Sequence, residues 1–124
     1  MAAYNFQRQF VPLILAGRKC STIRKRRANG YLPRVGDLLR LYNGMRTKGC
    51  KLIAEVAVTE VRPISITARN GCAEVILNMN RLTDAQTFAL AISDGFKSVR
   101  EFAEFFESKY GGELQGYLIE WRKA

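Results

Sequence analysis

A chain of 124 residues with 48% apolar composition fits one domain with one core, residues 1–124, and is neither disordered nor membrane-like. Its charge is divided unevenly: residues 1–54 hold twelve Lys or Arg against Asp37 alone, a net +11, whereas residues 55–124 hold eight against ten acids, a net −2. That division points to an electropositive face for a polyanion, nucleic acid first, and an anionic membrane surface is disfavoured because no basic stretch is also a long amphipathic helix.

The first element is a short helix over Val11–Ala16, with Pro12 tolerated in its first turn and Gly17 as its stop. This is also the longest apolar run, too short to span a bilayer and without the flanks of a signal peptide, which places the protein in the cytoplasm with no membrane partner. "STIRKRR" reads as a strand leaving that turn, and Ala28–Gly36, with Gly30, Pro33 and Gly36, as a loop. "DLLRLY" and "CKLIAEVAVTEVRPISI" are rich in β-branched and aliphatic residues, and "NGMRTKG", Asn43–Gly49, joins them as a hairpin connection. "CAEVILNM" supplies another strand and "GYLIEW" the last one. Between these lie two helices that open with capping-box spacings, Thr83 with Gln86 and Ser98 with Glu101. Val99, Phe102, Phe105, Phe106 and Tyr110 give the second an apolar face. About five strands and about three helices result, an α+β fold in which a small barrel-like sheet carries helices at its ends.

Cysteines give little. Cys20, Cys50 and Cys72 form no C-x-x-C pair and the chain has no histidine, so neither a metal nor another cofactor is expected. Cys50 and Cys72 read as small reduced core residues, and Cys20 as a thiol whose cationic neighbours favour its thiolate.

The chemistry concentrates in "GRKCSTIRKRR", six cations in eleven residues with no acid among them. Gly17, Lys19, Thr22 and Arg24 form G-x-K-x-x-T-x-R. In an extended segment Thr22 and Arg24 point to one face, and Lys19 reaches that face from the turn. An ammonium, a hydroxyl and a guanidinium together suit an anionic or carbonyl-bearing ligand; the same run is equally a basic strand edge that deters aggregation.

"ILAGRKCSTIR", "GDLLRLYNGMRTKGCK" and "ISDGFKSVREFAEFF" together resemble the ASCH domain, the activating-signal-cointegrator-1 homology family, from about Phe6 to Trp121. The resemblance implies a PUA-like β-barrel and an association with RNA. Characterised relatives include an amidohydrolase that removes the acetyl group from acetylated cytidine and a protein linked to cleavage of single-stranded RNA. By position the amidohydrolase's Lys and Thr fall on Lys19 and Thr22, and its catalytic Glu on Asp94, an acid one methylene shorter. Asp94 also breaks a local rule: Gly95 ends the preceding helix, which leaves a carboxylate in a last turn where the dipole disfavours it. A salt bridge to a neighbouring Arg is the competing explanation.

With no histidine present, Lys19 is the available base for Thr22, and bringing its pKa from about 10.4 to neutrality takes about 4 kcal/mol. Burial and like charge act in that direction and a close Asp94 opposes it. Lys19 could instead stabilise an oxyanion through its charge, with Asp94 acting on the leaving amine or on water. Arg18, Arg24, Lys25, Arg26, Arg27, Arg46 and Lys48 are candidate phosphate contacts, and Tyr42 a candidate base-stacking ring. The expected partner is RNA or a modified nucleoside, and the chain is taken as a monomer. Three functions remain: hydrolase on acetylated cytidine, non-catalytic RNA-binding module, or metal-independent ribonuclease.

Overall fold

The computed structural model describes residues 2–124. One open sheet of seven strands carries three α-helices. Chain order is β1 (Ala2–Asn5), a 3₁₀ turn Arg8–Phe10, α1 (Val11–Leu15), β2 (Ser21–Arg24), β3 (Leu38–Asn43), β4 (Lys51–Arg69), β5 (Cys72–Leu77), β6 (Asn80–Arg81), α2 (Asp84–Ser93), α3 (Val99–Tyr110) and β7 (Glu113–Lys123). Among the described residues no helix is long and apolar enough to cross a membrane.

The sheet is organised by β4, whose 19 residues are long enough to serve different partners along one edge. On that edge β3 pairs with Lys51–Ala57 and β5 with Ile64–Arg69. Pro63, which has no N–H to give a ladder, falls between the two. The opposite edge pairs with β7 from Val56 to Thr67, with a bulge between Val58 and Glu60. β7 then carries β2, and β3 carries β1 in the one parallel pairing.

The expected barrel is not formed. Among the described residues no ladder joins β1 to β2, the two strands that would have to meet. Guanidinium groups bridge them instead: Arg24 Nη2 donates to the Asn5 carbonyl at 2.6 Å, and Arg27 donates to the Ala3 carbonyl. β2 also ends at Arg24, short of the expected Arg27, because Lys25 to Arg27 are exposed and pair with nothing across the sheet. Opposite that end, Gly116 lets β7 pass close by; a Cβ there would lie 2.5 Å from the Arg24 carbonyl oxygen.

The capping box is complete at Thr83 and half-formed at Ser98. Thr83 Oγ1 accepts from Gln86 N while Gln86 Oε1 accepts from Thr83 N, and Ser98 Oγ accepts from Glu101 N. α3 packs against β4, β5 and β7 through Phe102, Ala103 and Phe106, all buried. Phe10, Phe96, Phe102, Phe105 and Phe106 form one aromatic cluster with centroids 4.8–6.4 Å apart. Cys50 and Cys72 are exposed, not core. Cys50 ends the β3–β4 connection and Cys72 opens β5 opposite Arg69, positions whose side chains face away from the packed face.

Candidate functional site

The turn after α1 delivers Lys19 into the interior. Gly17 takes φ 73°, the left-handed region, and the N–H groups of Arg18 and Lys19 both donate to the Leu13 carbonyl, at 2.8 and 3.0 Å. From there the Lys19 side chain passes between Phe10 and Phe6, its Nζ 4.9 and 5.8 Å from their ring centroids. It ends on Asp94, donating to the carboxylate Oδ1 at 2.8 Å and to the backbone carbonyl at 2.6 Å. Both residues are only 3% exposed.

Asp94 is the C-cap of α2, and its carbonyl is one of the acceptors a helix end leaves unfilled. Lys19 fills that acceptor and sets a cation at the negative end of the helix, which compensates the carboxylate's unfavourable position. The ion pair is therefore with Lys19, not with a neighbouring arginine. Gly95 makes the junction possible at φ 102°, because a Cβ there would lie 2.8 Å from Phe10 Cδ1. Phe96 then turns inward against Phe10, centroids 5.4 Å apart.

Burial dominates the protonation of both partners. It lowers the Lys19 pKa, with the Asp94 charge and hydrogen bond pulling back and Arg24 adding to the fall. It raises the Asp94 pKa, with Lys19 as the main opposing influence. Burial thus works against the charged form of both partners, and their contact with each other works for it.

Thr22 and Arg24 share a face of β2, as the extended spacing requires. Arg24 Nε donates to Thr22 Oγ1 at 3.0 Å, and its guanidinium lies 4.8 Å from the Phe6 centroid and 5.0 Å from Tyr4. Since the Thr22 oxygen accepts from a cation, its own proton is free to be given elsewhere. No hydrogen bond joins Lys19 to Thr22 among the described residues, yet both line the same cavity.

That cavity has a volume of about 140 Å³ and is lined by Lys19, Thr22, Arg24 and Asp94 together with Phe6, Phe10, Phe96, Phe105 and Phe106. A cavity of about 150 Å³ accommodates a benzene ring, so one planar heterocycle is the size of guest that fits. Asn5, Arg24 and Lys109 lie at its rim and also line an adjoining surface groove of about 540 Å³. Lys25, Arg26, Arg27 and Arg46 line that groove as well. Each of the first three sits over a tyrosine: Lys25 over Tyr110 at 5.3 Å, Arg26 over Tyr117 at 5.5 Å and Arg27 over Tyr4 at 4.7 Å.

Three expected residues stand apart from this arrangement. Tyr42 is half-buried in β3 and lines neither the cavity nor the groove. Lys48 is exposed in the β3–β4 connection, outside both. Arg18 faces a wide hollow of about 1580 Å³ between α1, α2 and α3, lined also by Phe88, Ile92, Glu101 and Glu104. Cys20 is exposed, its thiol turned to the Gly17 carbonyl at 3.3 Å. Sequence reading missed Asn5, Phe6, Tyr4, Lys109 and Tyr110. Tyr4 and Asn5 belong to a strand too short to announce itself, Phe6 follows it directly, and the last two close a helix whose amphipathic pattern accounts for them without any site. Among the described residues no three Cys, Asp or Glu side chains gather as a metal site would require. No family model, no curated protein and no solved structure matches the chain.

Proposed function

We propose that the protein is a small hydrolase that removes an acyl group from a modified cytosine, in a nucleoside or in RNA, with Lys19, Thr22 and Asp94 at the reacting centre. The observation that carries this reading is the buried Lys19–Asp94 pair sharing one ring-sized, aromatic-walled cavity with the Thr22 hydroxyl. Burying two charges costs several kcal/mol each, and a structural role alone would be met as well by an apolar pair. A purely electropositive edge would not be folded inward.

In this reading the base stacks between the cavity's phenylalanines with its acylated amine toward Lys19. An ammonium has three N–H groups, and two are engaged by Asp94, which leaves one for the acyl oxygen. Thr22 Oγ attacks the carbonyl carbon as Lys19, starting as the neutral amine with the pair's proton on Asp94, takes the hydroxyl proton; the ammonium so formed holds the developing oxyanion with its remaining N–H. When the C–N bond breaks, the same pair returns the proton to the departing amine. Water then hydrolyses the Thr22 ester and releases the carboxylic acid. Arg24, bonded to the Thr22 oxygen, favours the deprotonated nucleophile.

A second reading, a non-catalytic single-stranded RNA-binding module, is favoured by one observation: Lys25, Arg26, Arg27 and Arg46 line one groove and none is within ion-pair distance of an acid among the described residues. A ribonuclease would use the same groove with Lys19 assisting the ribose hydroxyl. Parallel incubation of the protein with N4-acetylcytidine and with end-labelled single-stranded RNA, chelator present, separates the three. Cytidine and acetate as products support the hydrolase, shortened RNA the ribonuclease, and binding with neither product the module.

A further inference from the structure

Resting on the hydrolase reading, we infer that Lys109 positions the phosphate beside the target base, so that the preferred substrate is an acylated cytosine within a single nucleic-acid strand and not the free nucleoside. Size is the first reason. A cavity of about 140 Å³ leaves no room beyond the acylated base, so the ribose and its phosphates must stand outside at the rim. Lys109 is at that rim: it lines the cavity and the 540 Å³ groove together with Asn5 and Arg24.

Charge is the second reason. The groove is lined by six cations, Arg24 to Arg27, Arg46 and Lys109, and by no carboxylate. So many like charges repel one another unless an anion is present, and a nucleoside brings none. Two of the guanidinium groups are partly engaged by the β1 carbonyls of Asn5 and Ala3. Lys109 makes no ion pair among the described residues, and its Nζ lies over the Phe105 and Tyr110 rings at 5.4 and 5.6 Å, held at the rim but free to donate. The alternative path across the rim leads into the helical hollow, where Glu101 and Glu104 offset Arg18, Lys97 and Lys109, so that it lacks the groove's unopposed positive charge. The strand therefore runs along the six-cation groove, with Lys109 and Arg24 at the phosphate nearest the base.

The test compares a short single-stranded RNA bearing one N4-acetylcytidine with free N4-acetylcytidine, in the parent protein and in Lys109→Ala, Lys109→Glu and Lys109→Arg. In the parent, kcat/KM for the strand should exceed that for the nucleoside about tenfold or more at low salt, a preference that shrinks as salt rises. Lys109→Ala should reduce that ratio, Lys109→Glu should reduce it further, and Lys109→Arg should restore it. A parent ratio near one, or a ratio unmoved by Lys109→Ala and Lys109→Glu, overturns the inference. Binding of the unmodified strand, read by fluorescence anisotropy, needs no turnover: the slope of log affinity on log salt should fall by about 0.7 in Lys109→Ala. If nothing is hydrolysed the hydrolase reading fails by itself, and this slope then decides the role of Lys109: a smaller slope supports it and an unchanged one overturns it.

Discussion

Lys19 and Asp94 are the two residues on which stability and chemistry conflict most directly. Removing one partner of a buried pair strands the other, so Lys19→Ala should lower the unfolding free energy by about 3 kcal/mol or more, read from urea denaturation. Replacing both by apolar residues, Lys19→Met with Asp94→Leu, should leave the protein no less stable than the parent and inactive on acetylated cytidine. The pH dependence has a definite sign. Asp94's pKa is raised in the fold, so its contribution to stability is present below the ordinary carboxylate range and is lost as pH rises through the folded value. Lys19's pKa is lowered, so its charged form is penalised in the fold, and stability returns as pH rises from the folded value toward 10.5. The double replacement should abolish both trends. The same lowering predicts a rate that increases with pH through a limb below the usual lysine range, as the neutral Lys19 amine forms. Lys19→Arg, which keeps the charge but cannot release the proton, should lose that limb.

Among the elements, the D-G-F junction between α2 and α3 is the one that fixes the site. Gly95→Ala would force a side chain into the left-handed region and against the Phe10 ring, and it should cost about 1–3 kcal/mol from backbone strain alone. Because Phe10 and Asp94 both line the cavity, activity should fall with the thermal midpoint. Much of this level was legible in the sequence. The caps at Thr83 and Ser98, the stop at Gly17, the Asn43–Gly49 connection and the shared face of Thr22 and Arg24 all follow from local rules. What was not legible depends on distant partners. β1 is four residues long and exists through parallel pairing with β3, which no local pattern announces. That hidden strand carries Tyr4 and leads into Phe6, two rings of the site. Likewise the sequence placed the acid at a helix end but not its partner, since Lys19 lies 75 residues away. Whether the barrel-like sheet closes was not legible either, because the strand pattern does not say whether the last edge is met by a ladder or by arginine side chains.

Across the whole molecule, the charge asymmetry of the sequence becomes a surface with a direction. Arg24 to Arg27 at the end of β2 and Arg46 from the β3–β4 connection gather on one groove, and α3 adds Lys109 to it from the C-terminal half. Affinity for single-stranded RNA should therefore fall steeply with salt, and replacing Lys25, Arg26 and Arg27 with alanine should reduce the slope by up to about 2. An unchanged slope would remove these residues from the interface. The groove, however, bears on docking, and the central claim concerns the buried cavity beside it. The most direct test is kcat/KM on N4-acetylcytidine for the parent and for Thr22→Val, a replacement of similar shape that deletes only the hydroxyl. Measurable release of cytidine by the parent and a loss of about 100-fold or more in Thr22→Val is the predicted result. Parent-like turnover in Thr22→Val would contradict the assignment of the nucleophile, and absence of turnover in the parent would contradict the hydrolase itself.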